Sequence, residues 1–298
     1  MRLRFIPSWR LIGLALALAL CAARPWAAEG PSIAAPPTRV GVLVLAHGGS
    51  RAWNKTVKVA VKDAHLGAPT RIAFGMGFHR SEANALQQAV HQLEAAGVQE
   101  IVAVPLLVSS ASEVYRQLAY LLGQQSEPAV RHESLQPVAA TAAIRLMPPL
   151  DDDPAVADIA SARALALSRD PARETVVLVA HGPNQADDDA RWTACLERIA
   201  AMVQARTGVR RVAVATLRDD AEEAVRSAAT ARLRGLVEQA SQDGEALIVP
   251  ILIARGGIES GIPKRLQGLR YRYSGATLLP DERISRWLKQ RVDEASLR

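Results

Sequence analysis

At 298 residues, with 49% hydrophobic and 22% charged side chains, the chain can fill one large domain or two ordinary ones and is too apolar for a disordered protein. The formal charge is +6, yet no Lys/Arg block stands beyond the N-terminus, so neither nucleic acid nor an anionic membrane surface is indicated as a partner.

Residues 1–10 carry Arg2, Arg4 and Arg10, a Leu/Ala-rich run follows over 11–23, and small residues stand at Ala27 and Ala28. A charged region, a short apolar stretch and a small-residue cleavage site describe a secretory signal peptide over residues 1–28. The run is short for a membrane span, so no span is expected in the mature chain; an uncleaved anchor is the alternative. Leu20 precedes Cys21 where a lipidation signal calls for a small residue. Export, to a periplasm in bacterial terms, is the expected location. Loss of Arg2, Arg4, Arg10 and Arg24 with the leader lowers the charge to about +2. Cys195 is then the lone cysteine, so no intrachain disulfide is expected.

Residues 29–38 read as a Pro- and Ala-rich tail. The β-branched run 40–45 is a strand buried on both faces, and it ends at Ala46-His47-Gly48. Helix 54–65, strand 71–74, helix 82–96 closed by Gly97, and strand 101–108 with Pro105 inside it come next. Helix 113–123 and strand 143–147 follow, then Pro148-Pro149 and a helix opening at Asp153-Pro154. The join falls within 160–174, which divides the chain into lobes at 39–165 and 174–298.

The second half repeats the order. Strand 175–180 ends at Ala180-His181-Gly182, and helix 188–206, strand 211–217 and helix 222–241 follow. Strand 247–253 carries Pro250, strand 276–279 precedes Pro280, and a helix through Trp287 and Leu288 closes the chain. Three marks recur in the same order: the Ala-His-Gly turn, a proline in the third strand and a proline after the fourth. They argue duplication. Strands alternating with helices imply an α/β fold of two similar lobes, each a parallel sheet flanked by helices, with a ligand cleft between them.

In open parallel sheets, ligands sit beyond the carboxyl ends of the strands. His47 and His181 stand there after the first strand of each half, and Glu113 and Glu259 after the third. An imidazole and a carboxylate across a cleft can ligate a divalent metal or accept protons. The plainer alternative is that each histidine fixes its loop by a hydrogen bond; its repetition in both halves weighs against that.

The stretch Val42 to Arg51, VLVLAHGGSR, resembles the opening of class II tetrapyrrole chelatases of the sirohydrochlorin cobaltochelatase and ferrochelatase type. Glu94-Ala95-Ala96-Gly97-Val98, the strand through Pro105, and Leu146-Met147-Pro148-Pro149-Leu150 with Asp153-Pro154 agree in order. The likeness covers most of residues 39–298 as two copies, the arrangement of the longer members. It implies insertion of a divalent metal, Co2+ or Fe2+ with Ni2+ as a further candidate, into a tetrapyrrole such as sirohydrochlorin, on the way to sirohaem or cobalamin. The metal is a substrate, and no organic cofactor is implied.

The resemblance assigns metal binding and proton collection to His47. Where a second histidine normally follows the third strand, this sequence has Glu113, and His-plus-Glu is the ferrochelatase arrangement. Many members carry an acidic residue near the end of the second strand. Residues 74–79 offer none, which leaves His79 as a candidate ligand. Ser50, Arg51, Met76, Ser109, Ser110 and Arg255 are the candidate substrate contacts, with Arg255, Lys264 and Arg265 a cationic set for peripheral carboxylates and Phe78 a further wall. His181 and Glu259 are the second-lobe counterparts.

Two other functions are open. His47-Gly48-Gly49-Ser50 resembles an esterase oxyanion loop, but no G-x-S-x-G elbow accompanies it. A non-catalytic periplasmic carrier of tetrapyrrole or metal would use the same fold, and export favours it. Oligomeric state is open.

Overall fold

A computed structural model describes residues 38–296. The leader expected over 1–28 and the tail over 29–38, Thr38 apart, lie outside the described residues.

The first lobe runs β1 (Val40–Ala46), α1 (Arg51–Asp63), β2 (Thr70–Phe74), α2 (Arg80–Ala95), β3 (Glu100–Leu106), α3 (Glu113–Leu121), β4 (Ala143–Leu146) and α4 (Pro154–Leu167). The second runs β5 (Glu174–Ala180), α5 (Ala186–Thr207), β6 (Arg211–Thr216), α6 (Glu223–Asp243), β7 (Glu245–Ile251), α7 (Ile258–Arg265), β8 (Arg272–Tyr273) and α8 (Glu282–Ser296). The sheets are parallel and ordered β2-β1-β3-β4 and β6-β5-β7-β8. The fold is thus the expected two-lobed α/β repeat.

The repeated marks have physical reasons. Gly48 and Gly182 adopt φ of +81° and +75°. A Cβ on Gly182 would stand 2.5 Å from the Thr216 Cβ of β6, so neither the backbone angle nor the space admits a side chain. Pro105 and Pro250 sit in central strands, where a missing N–H would normally break the ladder. Each lies past the last rung to the outer strand, which pairs only as far as Ala103 in β3 and Ile248 in β7.

Some boundaries differ from expectation. Helix α1 starts at Arg51 because Ser50 Oγ accepts from the Trp53 N–H at 3.2 Å. The last strand is Arg272–Tyr273 and not 276–279; after a turn with Gly275 at φ +68°, the later segment runs beside the residues that follow β7, with Leu278 N–H donating to Leu252 O and Leu279 N–H to Ile253 O. The join is shorter than 160–174, because α4 runs unbroken to Leu167 with Ile159, Ala160 and Ala164 fully buried.

Helix α4 closes the first repeat but packs on α5 and β7 of the second sheet, while α8 packs on α1 and β3 of the first. The lobes therefore exchange their closing helices. Val42, Val44 and Ala46 of β1 and Val176, Leu178 and Ala180 of β5 belong to one continuous core with these helices. Leu43 and Leu45 face a separate core against α2 and α3, and Val177 and Val179 another against α6. A fully buried Val or Leu contributes about 1.5–3 kcal/mol, so the shared core holds the lobes together. No helix among the described residues is long and apolar enough to cross a membrane. Cys195 is buried, and burial first, with the nearby Asp151 and Asp152 carboxylates, pushes its thiol up to about 12.

Candidate functional site

The carboxyl ends of both sheets open on one cleft of about 670 Å³, within the range of small-molecule sites. His47, Met76, Ser109 and Glu113 line it from the first lobe, and His181 and Glu259 from the second. Trp53, Phe78, Leu107, Trp192, Leu252 and Ile253 give it an apolar, aromatic interior.

Both histidines are oriented alike. His47 Nδ1 lies 2.9 Å from Gly48 O and His181 Nδ1 lies 2.8 Å from Gly182 O. A carbonyl only accepts, so Nδ1 carries the proton in each ring, and in the neutral imidazole Nε2 presents its lone pair. The plain loop-fixing role is thus met at Nδ1, and Nε2 is left for chemistry. His181 Nε2 stands 3.4 Å from Asp220 Oδ2.

Glu113 opens α3 behind its N-cap Ser112, and its Oε2 accepts from Asn184 Nδ2 of the other lobe at 3.0 Å. One turn on, Arg116 makes a two-pronged pair across the lobes with buried Asp188, at 2.9 and 2.7 Å. Burial alone would raise the Asp188 carboxyl; hydrogen bonds from Arg116 and Arg191 outweigh it and hold the group below the usual range. Glu259 is not the equal of Glu113. It is buried, and Oε2 accepts from the Gly256 and Gly257 N–H groups at 3.0 Å each. Burial again opposes, but these backbone bonds and Arg255 keep its carboxyl below its ordinary range. Its charge is spent on its own loop.

Several expected contacts are not in the lining. His79 is the exposed N-cap of α2, and Glu82 Oε2 takes the N–H groups of Phe78 and His79 at 3.0 and 3.2 Å. This capping box starts the helix and leaves His79 outside the cleft, so the structure does not bring the three proposed ligands His47, Glu113 and His79 together. Ser50 caps α1, Arg51 is the exposed first residue of that helix, and Ser110 is tied to Asp151 Oδ1 at 2.7 Å through its N–H. Arg255 lies outside the lining with its side chain 68% exposed, which fits a rim position only. Ser109 does line the cleft, though its Oγ is engaged by the Ala111 N–H at 3.1 Å. Lys264 and Arg265 are outside it as well.

Sequence reading missed Asn184, Trp53, Trp192, Asp219 and Asp220. Asn184 lies three residues after His181, and the Asp pair follows the β6 strand, the place where the first half lacks a carboxylate; aligning the halves loop by loop would have found both. Among the described residues, no three His, Cys, Asp or Glu side chains converge as a ready metal site.

Fold and cleft define a duplicated α/β protein with a cleft of small-molecule size at the carboxyl ends of its two sheets. The CbiX family model matches residues 41–167 and again 175–295, so the chain belongs to the CbiX family of class II chelatases, as two copies. Among solved structures it is similar to SirB from Bacillus subtilis with Fe3+, at TM-score 0.58 and 18% identity, over 86% of this chain and 95% of that one. It is also similar to CbiX, described as the terminal enzyme for biosynthesis of sirohaem in denitrifying bacteria, at TM-score 0.57 and 15% identity, over 86% and 99%. DR2241 from Deinococcus radiodurans, a multi-domain protein with structural similarity to chelatases, matches at TM-score 0.52 and 18% identity, over 86% and 55%. A comparison with curated proteins gave no match.

Proposed function

We propose that this protein inserts a divalent metal, cobalt or iron, into a tetrapyrrole such as sirohydrochlorin held in the inter-lobe cleft. The carrying observation is that one cleft is lined from the first lobe by both His47, with Nε2 left for chemistry, and Glu113, whose carboxylate is steadied from the opposite lobe by Asn184. Membership of the CbiX family supports the reaction class.

Insertion exchanges two pyrrole N–H protons for one M2+, with no change of oxidation state. His47 Nε2 and the Glu113 carboxylate are the acceptors on this wall, and general-base help of this kind is worth about 10²–10⁴ in rate. Trp53, Phe78 and Trp192 offer aromatic surface to a flat ring. The lining contains no Lys or Arg, so peripheral carboxylates would reach past it for a cationic partner, and Arg255, exposed between the lining residues Ala254 and Gly256, is the candidate. The leader expected over residues 1–28 would place this chemistry outside the cytoplasm, which fractionation with an antibody tests directly.

The deciding assay mixes purified protein with metal-free sirohydrochlorin and Co2+, Fe2+ or Ni2+ and follows the absorbance of the macrocycle. Insertion above the protein-free rate is expected. Tight macrocycle binding with no insertion for any metal would replace the enzyme by a carrier.

A further inference from the structure

The loop after β5 departs from its first-lobe counterpart at its far end. After β1, the residue three past the histidine is Ser50, whose Oγ caps α1. After β5 that place is taken by Asn184, and the N-cap of α5 is Gln185, one residue further on, with no side-chain capping bond. The second loop is thus a residue longer and lacks the tie that fixes its twin. The Asn184 side chain, not needed as a cap, donates across the lobes to Glu113 Oε2 at 3.0 Å.

Another residue holds this loop. Arg218, two residues past the end of β6, donates from Nε to Pro183 O at 3.0 Å and from Nη2 to Asn184 O at 2.5 Å. Its N–H donates to His181 O at 2.6 Å. Nη1 faces Asp189 Oδ2 at 3.8 Å, and Asp189 is held in turn by Thr216 Oγ1 at 2.7 Å. An arginine can do this and a lysine cannot, because the planar fork reaches two successive carbonyls at once.

The backbone carries a cost that points to the side chain. Arg218 adopts φ +53°, where a Cβ is unfavourable and glycine is the usual residue. After β2 the first lobe takes its positive angles on Gly75 and Gly77, whereas residues 217–222 of the second contain no glycine. A glycine at 218 would suit the angle but supply no side-chain donor to the loop.

We infer that Arg218 is a positioning residue for metal insertion: it fixes the backbone of Asn184, and Asn184 in turn fixes the Glu113 carboxylate at the cleft. The purpose rests on the chelatase reading; the chain of contacts does not. A glutamate side chain samples several rotamers until a partner selects one, and a proton acceptor works only within hydrogen-bond reach of the proton it takes. The second lobe thereby serves a reacting group that belongs to the first.

The test uses 15N-labelled protein and two variants of the arginine. Arg218→Gly suits the backbone angle and removes every side-chain donor; Arg218→Lys keeps the charge beside Asp189 but cannot bridge two carbonyls. The Asn184 side-chain amide signals, identified by their loss in Asn184→Ala, should move in both variants toward the positions they take in Glu113→Ala. In steady-state insertion of Co2+ into sirohydrochlorin, both variants should lower kcat severalfold with the KM for the macrocycle unchanged. Arg218→Gly combined with Asn184→Ala should be no slower than Asn184→Ala alone. Amide signals that keep their wild-type positions in either folded variant, or rate losses that multiply in the double variant, would overturn the role. If the wild-type protein inserts no metal, the chelatase reading fails, and the amide signals alone still decide whether Arg218 sets the contact between Asn184 and Glu113.

Discussion

The lobes share a sheet order, a proline position and a histidine turn, yet their cleft walls differ in kind. After β2 the first lobe supplies Met76 and Phe78; after β6 the second supplies Asp219 and Asp220. After β3, Glu113 is steadied by a residue of the other lobe; after β7, Glu259 is consumed by two N–H groups of its own loop. The strands are buried and their packing leaves little room for change, whereas a loop at the carboxyl end of a strand can change its chemistry without touching the core. A duplicated frame thus comes to carry two unlike walls, Met76 and Phe78 beside His47 on one and Asp219 and Asp220 beside His181 on the other.

The clasp joining the two walls is the most severe place to break the comparison. Asp188→Asn should destabilise the protein by about 2 kcal/mol, because the buried partner of Arg116 loses its charge; urea unfolding measures this. The same pair gives the protein an acid limit. The Asp188 carboxyl is held below its ordinary range, as is Glu174, where burial is outweighed by bonds from Ser168, Arg169 and Asp170 and by Arg272. Groups depressed in the folded state stabilise fully above their unfolded values and lose that contribution as pH falls through the lower folded ones. Stability should therefore decline below about pH 4, and Asp188→Asn should flatten the decline. An unchanged slope would assign the acid sensitivity elsewhere.

A smaller effect sharpens the roles. Asn184→Ala frees the Glu113 carboxylate without touching either histidine ring, and should lower the insertion rate severalfold with little change in stability. An unchanged rate would mean that the cross-lobe hydrogen bond does not position Glu113 for the reaction. Smaller still, Cys195 should resist iodoacetamide in the native protein at pH 8, since its thiol is pushed up to about 12; mass spectrometry reads the label.

Much of the frame was legible because it depends on local rules. Positive φ at Gly48 and Gly182, prolines beyond the last rung, and β-branched runs buried on both faces all leave marks in the sequence. Glu113 was legible through its place after the third strand. The pairs that complete the cleft were not, because Glu113–Asn184 and Arg116–Asp188 are separated by 71 and 72 residues and meet only when the lobes dock. His79 misled for a local reason: Glu82, three residues on, makes it a helix cap. The exchange of α4 and α8 was hidden too, since an apolar helix face does not name the sheet it will cover.

His47 Nε2 and the Glu113 carboxylate are the proposed acceptors of the pyrrole protons. The rate of Co2+ insertion by His47→Ala as Co2+ is raised to saturation tests this most directly. A rate at least about 100-fold down at every Co2+ concentration is expected. Restoration of the wild-type rate by saturating Co2+ would contradict the role in proton transfer.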